Sequence, residues 1–399
     1  MTTQRLFVFL LVLCGASTAW GEPDTPLTLD ASYALQTDSN LFRLPASADA
    51  FKLVGRDSVA EQVGITTLGL NFASTQSLQK FEVNASLVDY RYQNFSYLSF
   101  AARNFDAAWR WSLTPRLTGS LSSTRRETLN SFADYTGFNQ RNQRTDTSTQ
   151  LDTMYELTGP WRLLTGVRQT EQANELALVA GGDYRSTSAH LGVRQDFGSG
   201  STLGYTARVA NGSYLSRVLP NAGLYDDTFK QFDHDLRLRW ALGGGSSVDA
   251  HLTALSRSHP TYASRNYDGF ASGLSLNWAI TGKSVLNAAY AHELSDYATA
   301  NSNYAQTDRL TLGGVWNLSP KLQIGLRTAW SQVDYLGAPS TTPVTQRRDT
   351  HNDTSLTLVW VPYQRLNLNA MWQRMSRGSS QSGLDFESSM ATLSAQYRY

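Results

Sequence analysis

Met390-Ala391-Thr392-Leu393-Ser394-Ala395-Gln396-Tyr397-Arg398-Tyr399 is the stretch on which the reading of the whole chain turns. Its odd positions, Ala391, Leu393, Ala395, Tyr397 and Tyr399, are apolar or aromatic, and its even positions, Thr392, Ser394, Gln396 and Arg398, are polar. Successive side chains of a strand point to opposite faces, so the segment predicts a β-strand with one apolar and one wet face. A half-buried strand of a β-sandwich carries this pattern, and so does a strand of a membrane barrel. The rest of the chain chooses between them.

Working back from that strand, one hairpin pattern recurs: an alternating strand, a short turn, a second alternating strand, a longer polar loop. The short turns are the clearest part. They include Trp111-Ser112-Leu113-Thr114-Pro115, Trp240-Ala241-Leu242-Gly243-Gly244, Trp278-Ala279-Ile280-Thr281-Gly282, Trp316-Asn317-Leu318-Ser319-Pro320 and Trp360-Val361-Pro362. Tyr155 and Trp161 flank a further turn, and Phe197 precedes Gly198-Ser199-Gly200. Gly, Pro, Ser and Thr are the residues such turns require. The aromatics recur at roughly 40 residues, a period that suits propeller blades. A four-stranded blade needs three tight turns in that length, however, and only one is present. Long loops such as Val333–Arg348 alternate with the short turns, which is the mark of a transmembrane barrel with short periplasmic turns and long outer loops. Nine long loops and eight short turns give an antiparallel up-and-down barrel of about eighteen strands, with sixteen the alternative.

Facing follows strand by strand. Arg309–Leu318 puts Leu310, Leu312, Trp316 and Leu318 on one side and Arg309, Thr311 and Asn317 on the other. Asp233–Leu242 puts Leu236, Leu238, Trp240 and Leu242 opposite Asp233, Asp235, Arg237 and Arg239. A soluble barrel keeps its apolar side within. Here the second face is charged and has to meet water, so the expected arrangement is an apolar outer band around a wet lumen. Trp111, Tyr155, Trp161, Phe197, Trp240, Trp278, Trp316 and Trp360 then form an interfacial girdle against the outer-membrane lipids.

The N-terminus agrees with export. Met1–Gly21 has a basic Arg5, an apolar run from Leu6 to Leu13, and small residues at Ala19 and Gly21, which is the form of a cleaved signal peptide. The run is shorter than the about 20 residues that span a bilayer as a helix. Cys14 raises a lipoprotein alternative, although Leu13 stands where such a site uses Gly, Ala or Ser. Residues 22–399 are then one barrel domain, with 22–57 its less regular first strand and loop. The mature chain has no cysteine, hence no disulfide scaffold and no thiolate chemistry. Removing Arg5 from 34 basic residues leaves 33 against 33 acidic ones, a neutral balance that argues against nucleic acid as a partner.

No catalytic residue, metal site or cofactor is expected. His190, His234, His251, His259, His292 and His351 make no metal-ligand spacing, and serines are too frequent for any one pairing to be specific. The chain does not read as an enzyme. The lumen arginines are the better clue: by parity Arg110, Arg162, Arg168, Arg194, Arg208, Arg237, Arg239, Arg309, Arg327 and Arg365, with Arg116 and Arg398. Asp106, Asp146, Asp152, Asp233, Asp235, Asp249 and Glu293 share that face. Two readings stay open. The charges pair across strands and keep the wall wet, or they form a field that selects anionic or hydroxyl-rich solutes, a task suited to the guanidinium fork. Loop aromatics such as Tyr135, Tyr297 and Tyr335 either stack on sugar faces or pack the loops.

Two resemblances add to this. Leu393, Tyr397 and Tyr399 resemble the C-terminal β-signal of bacterial outer-membrane barrels, which implies assembly by the barrel-assembly machinery. The stretch Tyr33–Pro45, with Asp38-Ser39-Asn40-Leu41-Phe42-Arg43-Leu44-Pro45 at its heart, resembles the start of the EpsL-like outer-membrane β-barrels encoded in exosortase-associated exopolysaccharide operons. That resemblance implies a conduit in exopolysaccharide biosynthesis or export, with polysaccharide and other export proteins as partners, and supplies no catalytic residues. The alternatives are a general porin-like diffusion channel, or a structural, surface-binding barrel with a plugged lumen.

Overall fold

Alternation at period two is realised along nearly the whole chain. The structure, a computed structural model, describes residues 26–133, 139–176, 182–216, 226–297, 302–337 and 346–399; the expected signal peptide, residues 1–21, lies outside them. The strands are β1 (Leu27–Asp38), β2 (Glu61–Gln76), β3 (Gln79–Tyr92), β4 (Phe100–Thr114), β5 (Leu117–Leu129) and β6 (Gln143–Glu156). Then come β7 (Trp161–Asn174), β8 (Tyr184–Asp196), β9 (Thr202–Tyr214), β10 (Thr228–Gly243), β11 (Ser246–Ser258) and β12 (Tyr267–Thr281). The last six are β13 (Ser284–Asp296), β14 (Tyr304–Ser319), β15 (Leu322–Leu336), β16 (Arg348–Tyr363), β17 (Leu366–Ser379) and β18 (Phe386–Arg398). One short helix, α1 (Ala50–Val54), interrupts the loop after β1; Asp49 caps its start and Gly55, at φ 74°, its end.

Each strand pairs antiparallel with its sequence neighbours, and β1 pairs with both β2 and β18, so the eighteen strands close into one up-and-down barrel. Closure leaves no sheet edge unpaired. At the seam Leu35 lies opposite Leu393, Ala31 opposite Tyr397 and Asp30 opposite Arg398. Leu29 and Tyr399 exchange both backbone hydrogen bonds, at 3.0 and 2.7 Å.

The tight turns share a device. In β4, β10, β12, β14 and β16 the register shifts just before the turn, between Ser112 and Thr114, Ala241 and Gly243, Ala279 and Thr281, Asn317 and Ser319, and Trp360 and Tyr363. Such bulges sharpen the local twist at a barrel rim. The β10–β11 turn runs through Gly243, Gly244 and Gly245, all at positive φ (84°, 59° and 80°), a backbone path that side chains oppose.

Packing is divided between the two barrel faces. The outward face is apolar and open: Leu68, Leu121, Leu151, Leu191, Leu252, Leu326 and Leu393 all stay exposed. Among the described residues, buried apolar clusters occur only at the long-loop end. The largest joins Phe42, Leu44, Phe95, Leu98 and Phe132, and smaller ones form around Val88 and Phe100, around Met375 and Phe386, and around Val333 and Tyr335. Strands of 12 to 16 residues exceed the roughly 9–11 that a tilted strand needs to cross a bilayer core. The excess shows as outward ion pairs near the long loops, Arg185–Glu171 at 2.7 Å, Arg348–Asp334 at 2.5 Å and Arg91–Asp89 at 2.6 Å.

Candidate functional site: the charged inner wall and its mouth

Strand pairing fixes which side chains share the inner wall, because partners opposite one another point the same way. Arg208 lies opposite Asp233 and His190, and His190 opposite Gly166. Gly166 in turn lies opposite Asp152, which faces Ser120, and Ser120 faces Arg110. The chain of partners therefore carries one face around seven strands, β4 to β10. The same bookkeeping sets Arg162, Arg168, Arg194, Arg237, Arg239, Arg309 and Arg327 on this wall, opposite in phase to the exposed leucines.

Arg365 stands one residue ahead of β17. It lies in the turn between β16 and β17, exposed, with its guanidinium 5.9 Å from the Tyr399 ring centroid. Arg116 sits in the β4–β5 turn in the same way. The backbone ladder runs on to both: the Arg365 carbonyl accepts the Arg398 N–H at 2.9 Å and the Arg116 carbonyl accepts the Glu156 N–H at 2.8 Å.

Most wall arginines have acidic neighbours. Arg162 bridges Glu156 at 3.1 Å and Asp196 at 3.5 Å, and Arg194 shares Asp196 at 2.6 Å. Arg208 meets Asp233 at 3.7 Å, Arg309 meets Glu293 at 3.6 Å and Arg239 meets Asp249 at 3.9 Å. Arg237 pairs with Asp235 and Arg110 with Glu82, while Arg168 donates to Ser148 Oγ at 3.1 Å. Arg327 has no hydrogen-bond or ion-pair partner among the described residues. Arg110 and Arg194 come together around a recess of about 450 Å³, shared with Ser120, Asp152, Met154 and His190. His190 lies against Gly166, where a Cβ would stand 2.5 Å from its ring, and approaches Asp152 at 3.7 Å.

A sequence signal marks several of these pairs: a basic and an acidic residue two apart. Arg144-Thr145-Asp146, Arg194-Gln195-Asp196, Asp235-Leu236-Arg237 and Arg347-Arg348-Asp349 all form ion pairs. Spacing by two keeps both members on one face.

The girdle aromatics lie at the short-turn end. Tyr155, Trp161, Phe197, Trp240, Trp278, Trp316 and Trp360 are exposed. Trp111 is half-buried because its ring lies across Gly119 of β5, where a Cβ would come within 2.3 Å of it. Among the described residues no group of His, Cys, Asp and Glu is arranged to hold a metal. Two histidines instead face outward: His234 contacts the Tyr205 hydroxyl at 2.5 Å, and His292 contacts Asp308 at 2.7 Å, with the Tyr290 hydroxyl donating to the same carboxylate at 2.6 Å.

The mouth at the long-loop end is built differently. Asp38, buried at the end of β1, pairs with Arg43 at 2.8 Å and accepts from Ser388 Oγ at 2.6 Å. The Asn40 amide donates to the Leu44 and Glu387 carbonyls at 2.8 and 2.9 Å and accepts from the Leu44 N–H at 3.0 Å. Arg43 adopts φ 55°, a left-handed conformation costing about 1–2 kcal/mol for a residue with a Cβ. The Asp38 ion pair and the buried packing of Phe42 and Leu44 hold it there. The stretch 38–45, which the sequence marks only by resemblance, is thus the most tightly bonded part of the loop.

Aromatic–arginine stacks continue around the mouth. Arg257 lies 4.2 Å from the Phe229 ring, Arg347 lies 4.3 Å from that of Tyr335, and Arg377 lies 5.1 Å from that of Phe386. Tyr335, a candidate for sugar stacking, is 2% exposed with the Tyr297 ring 4.5 Å away, so it packs the mouth instead; Tyr135 lies outside the described residues. In the loops over β6–β8 the Arg141 hydrogen bond holds the Glu175 carboxyl below its usual range, and burial raises Asp183.

A closed barrel with short turns at one end, long loops at the other and a girdled apolar exterior is the architecture of outer-membrane porins. Solved structures of that class superpose on it along almost its whole length. The outer membrane protein OpdK of Pseudomonas aeruginosa has a TM-score of 0.52 at 11% identity, over 94% of this chain and 99% of its own. OccK2 (OpdF) of the same organism, solved in complex with glucuronate, has a TM-score of 0.52 at 12% identity, over 94% and 98%. OpdQ, also from P. aeruginosa, has a TM-score of 0.52 at 10% identity, over 94% and 97%. No family model and no curated protein matches the sequence. Identities this low speak for the fold.

Proposed function

We propose that this protein is a porin-like channel of the bacterial outer membrane, passing small hydrophilic solutes through its charged lumen. The observation that carries the reading is the division of faces: exposed leucines outside and ion-paired arginines inside, repeated on strands all around the barrel. An exterior this apolar needs hydrocarbon around it, and a wall this charged needs water within. The porin fold of the superposed structures supports the same reading. A part in exopolysaccharide export rests on the resemblance of Asp38–Pro45 alone, and the lumen geometry adds nothing specific to polysaccharide. Purified protein in planar bilayers is expected to give discrete conductance steps, and liposomes carrying it to swell in small sugars. Absence of both from heat-modifiable, folded protein would remove the channel reading.

A further inference from the structure

Loop 39–60 has two routes open to it after β1: outward over the rim, or back into the barrel. Its contacts select the second. By the β1–β18 register Asp38 lies opposite Met390, on the inner wall and four residues down β18 from Phe386. Arg43 returns to that level, bonding Asp38 at 2.8 Å and approaching Met390 Sδ at 3.8 Å. Phe42 is then carried inward and almost completely buried, its ring 4.8 Å from both Phe95 and Phe132. Those two rings come from the loops after β3 and β5. Next to Phe132, the carbonyl of Ala133 accepts a hydrogen bond from Arg377 of β17. In barrel order these contacts join β17, β18, β1, β2, β3, β4 and β5, an arc of seven of the eighteen strands.

We propose that residues 38–45 are a latch that holds loop 39–60 inside the long-loop mouth, and that the latched loop, through Phe42 and Arg43, sets the size limit for solutes. The size limit rests on the channel reading above; the latch itself does not. A loop draped over the rim would leave the cross-section of the lumen free. This one packs its apolar side chains against the inward-facing Tyr92 and therefore takes up part of the passage. The lock is polar and compact: a carboxylate, a guanidinium, one amide and one hydroxyl, on residues whose partners on β18 lie about 350 positions away in sequence. Two ends of the chain must therefore be assembled side by side before the latch exists. Its release requires breaking the Asp38–Arg43–Ser388 cluster and the Asn40 amide bonds and withdrawing Phe42 and Leu44 from their apolar cluster.

Variants of the full chain test this. Arg43→Ala and Asp38→Asn should each raise single-channel conductance and admit larger members of a neutral oligosaccharide series in liposome swelling. The paired variant Asn40→Cys/Ser388→Cys tests the same point within one folded molecule. The register carries on past Asp38 and Met390, with the Ser39 N–H on the Ser389 carbonyl at 3.0 Å, so positions 40 and 388 face each other. Oxidised, this variant should conduct as the wild type does; reduced, it should conduct more. Equal conductance in the two redox states, or wild-type conductance from Arg43→Ala, overturns the filter. Labelling Ser388→Cys with a charged thiol reagent reads the latch without any current, since Ser388 is 2% exposed beneath the loop. Labelling should be at least about tenfold faster when Arg43→Ala is added, and equal rates overturn the latch. If no form conducts, the channel reading and the filter fail together, while the labelling rates still decide the latch.

Discussion

Glu61 opens β2 with a carboxylate that is only 3% exposed, and its surroundings explain why a charge is tolerated there. Its Oε1 accepts the backbone N–H groups of Gln93 and Asn94 at 3.2 and 2.8 Å, and its Oε2 accepts that of Phe95 at 2.7 Å. These are the first residues after β3; the Gln93 N–H also meets the Gln62 carbonyl at 3.0 Å, whereas Glu61 takes the amides of Asn94 and Phe95, which lie past the end of the ladder. A buried donor without a partner costs about 1–3 kcal/mol. Glu61→Ala should therefore lower stability by about that much and loosen the segment 93–99, which also carries Phe95 into the apolar cluster of the mouth. Glu61→Gln keeps one acceptor oxygen and should cost less. Denaturant midpoints with limited proteolysis check both. A wild-type midpoint for Glu61→Ala would show that the Asn94 and Phe95 amides find partners elsewhere. Glu127 does similar work between β4 and β5, accepting the Arg103 N–H at 2.7 Å where the pairing of those strands has stopped.

Among the elements, β14 and β15 show what alternation determines. Leu310 faces Trp330 and Trp316 faces Ile324 on the outside, while Gly313 faces Arg327 and Arg309 faces Ser331 within. In a single-cysteine set at 309, 316 and 327, a water-soluble thiol reagent should label 309 and 327 of the folded barrel well ahead of 316. Faster labelling at 316 would reverse the assignment. On the same strand Leu326→Arg should cost about 2–4 kcal/mol, as a cation near the bilayer midplane does. Such facing was legible in the sequence because period two is a property of the strand backbone and needs no tertiary knowledge. The tight turns were legible through the repeated Trp-x-Leu or Trp-x-Ile before Gly, Pro or Ser. Legibility stops where strands stop. The Arg365 guanidinium lies 5.9 Å from the Tyr399 ring centroid, a contact between a turn residue and the end of β18 that strand parity does not give. The mouth was opaque for another reason: Asp38 and Ser388, or Ala133 and Arg377, meet only once the barrel has closed. A resemblance marked residues 38–45, but no local pattern announced their bonding.

For the molecule as a whole, the distribution of charge decides what a channel of this kind would prefer. Acids and arginines alternate on the inner wall and mostly neutralise one another, so its selectivity depends on small imbalances. Arg237, Arg239 and Arg327 form a useful set. The first two lie beside Asp235 and Asp249, and the third has no ionic partner among the described residues. Replacing all three by Ser removes three cations and also leaves Asp235 and Asp249 uncompensated. Charges lining a passage set its ion preference, and a wall made more negative on both counts should move toward cations. In a planar bilayer with a potassium chloride gradient, the reversal potential of the variant should shift toward the potassium equilibrium value relative to wild type. The shift should shrink as salt rises, because the Debye length falls from about 10 Å at 0.1 M to about 3 Å at 1 M. A reversal potential that stays where it was at low salt, in a variant that still conducts, would mean that ions pass out of reach of β10 and β15.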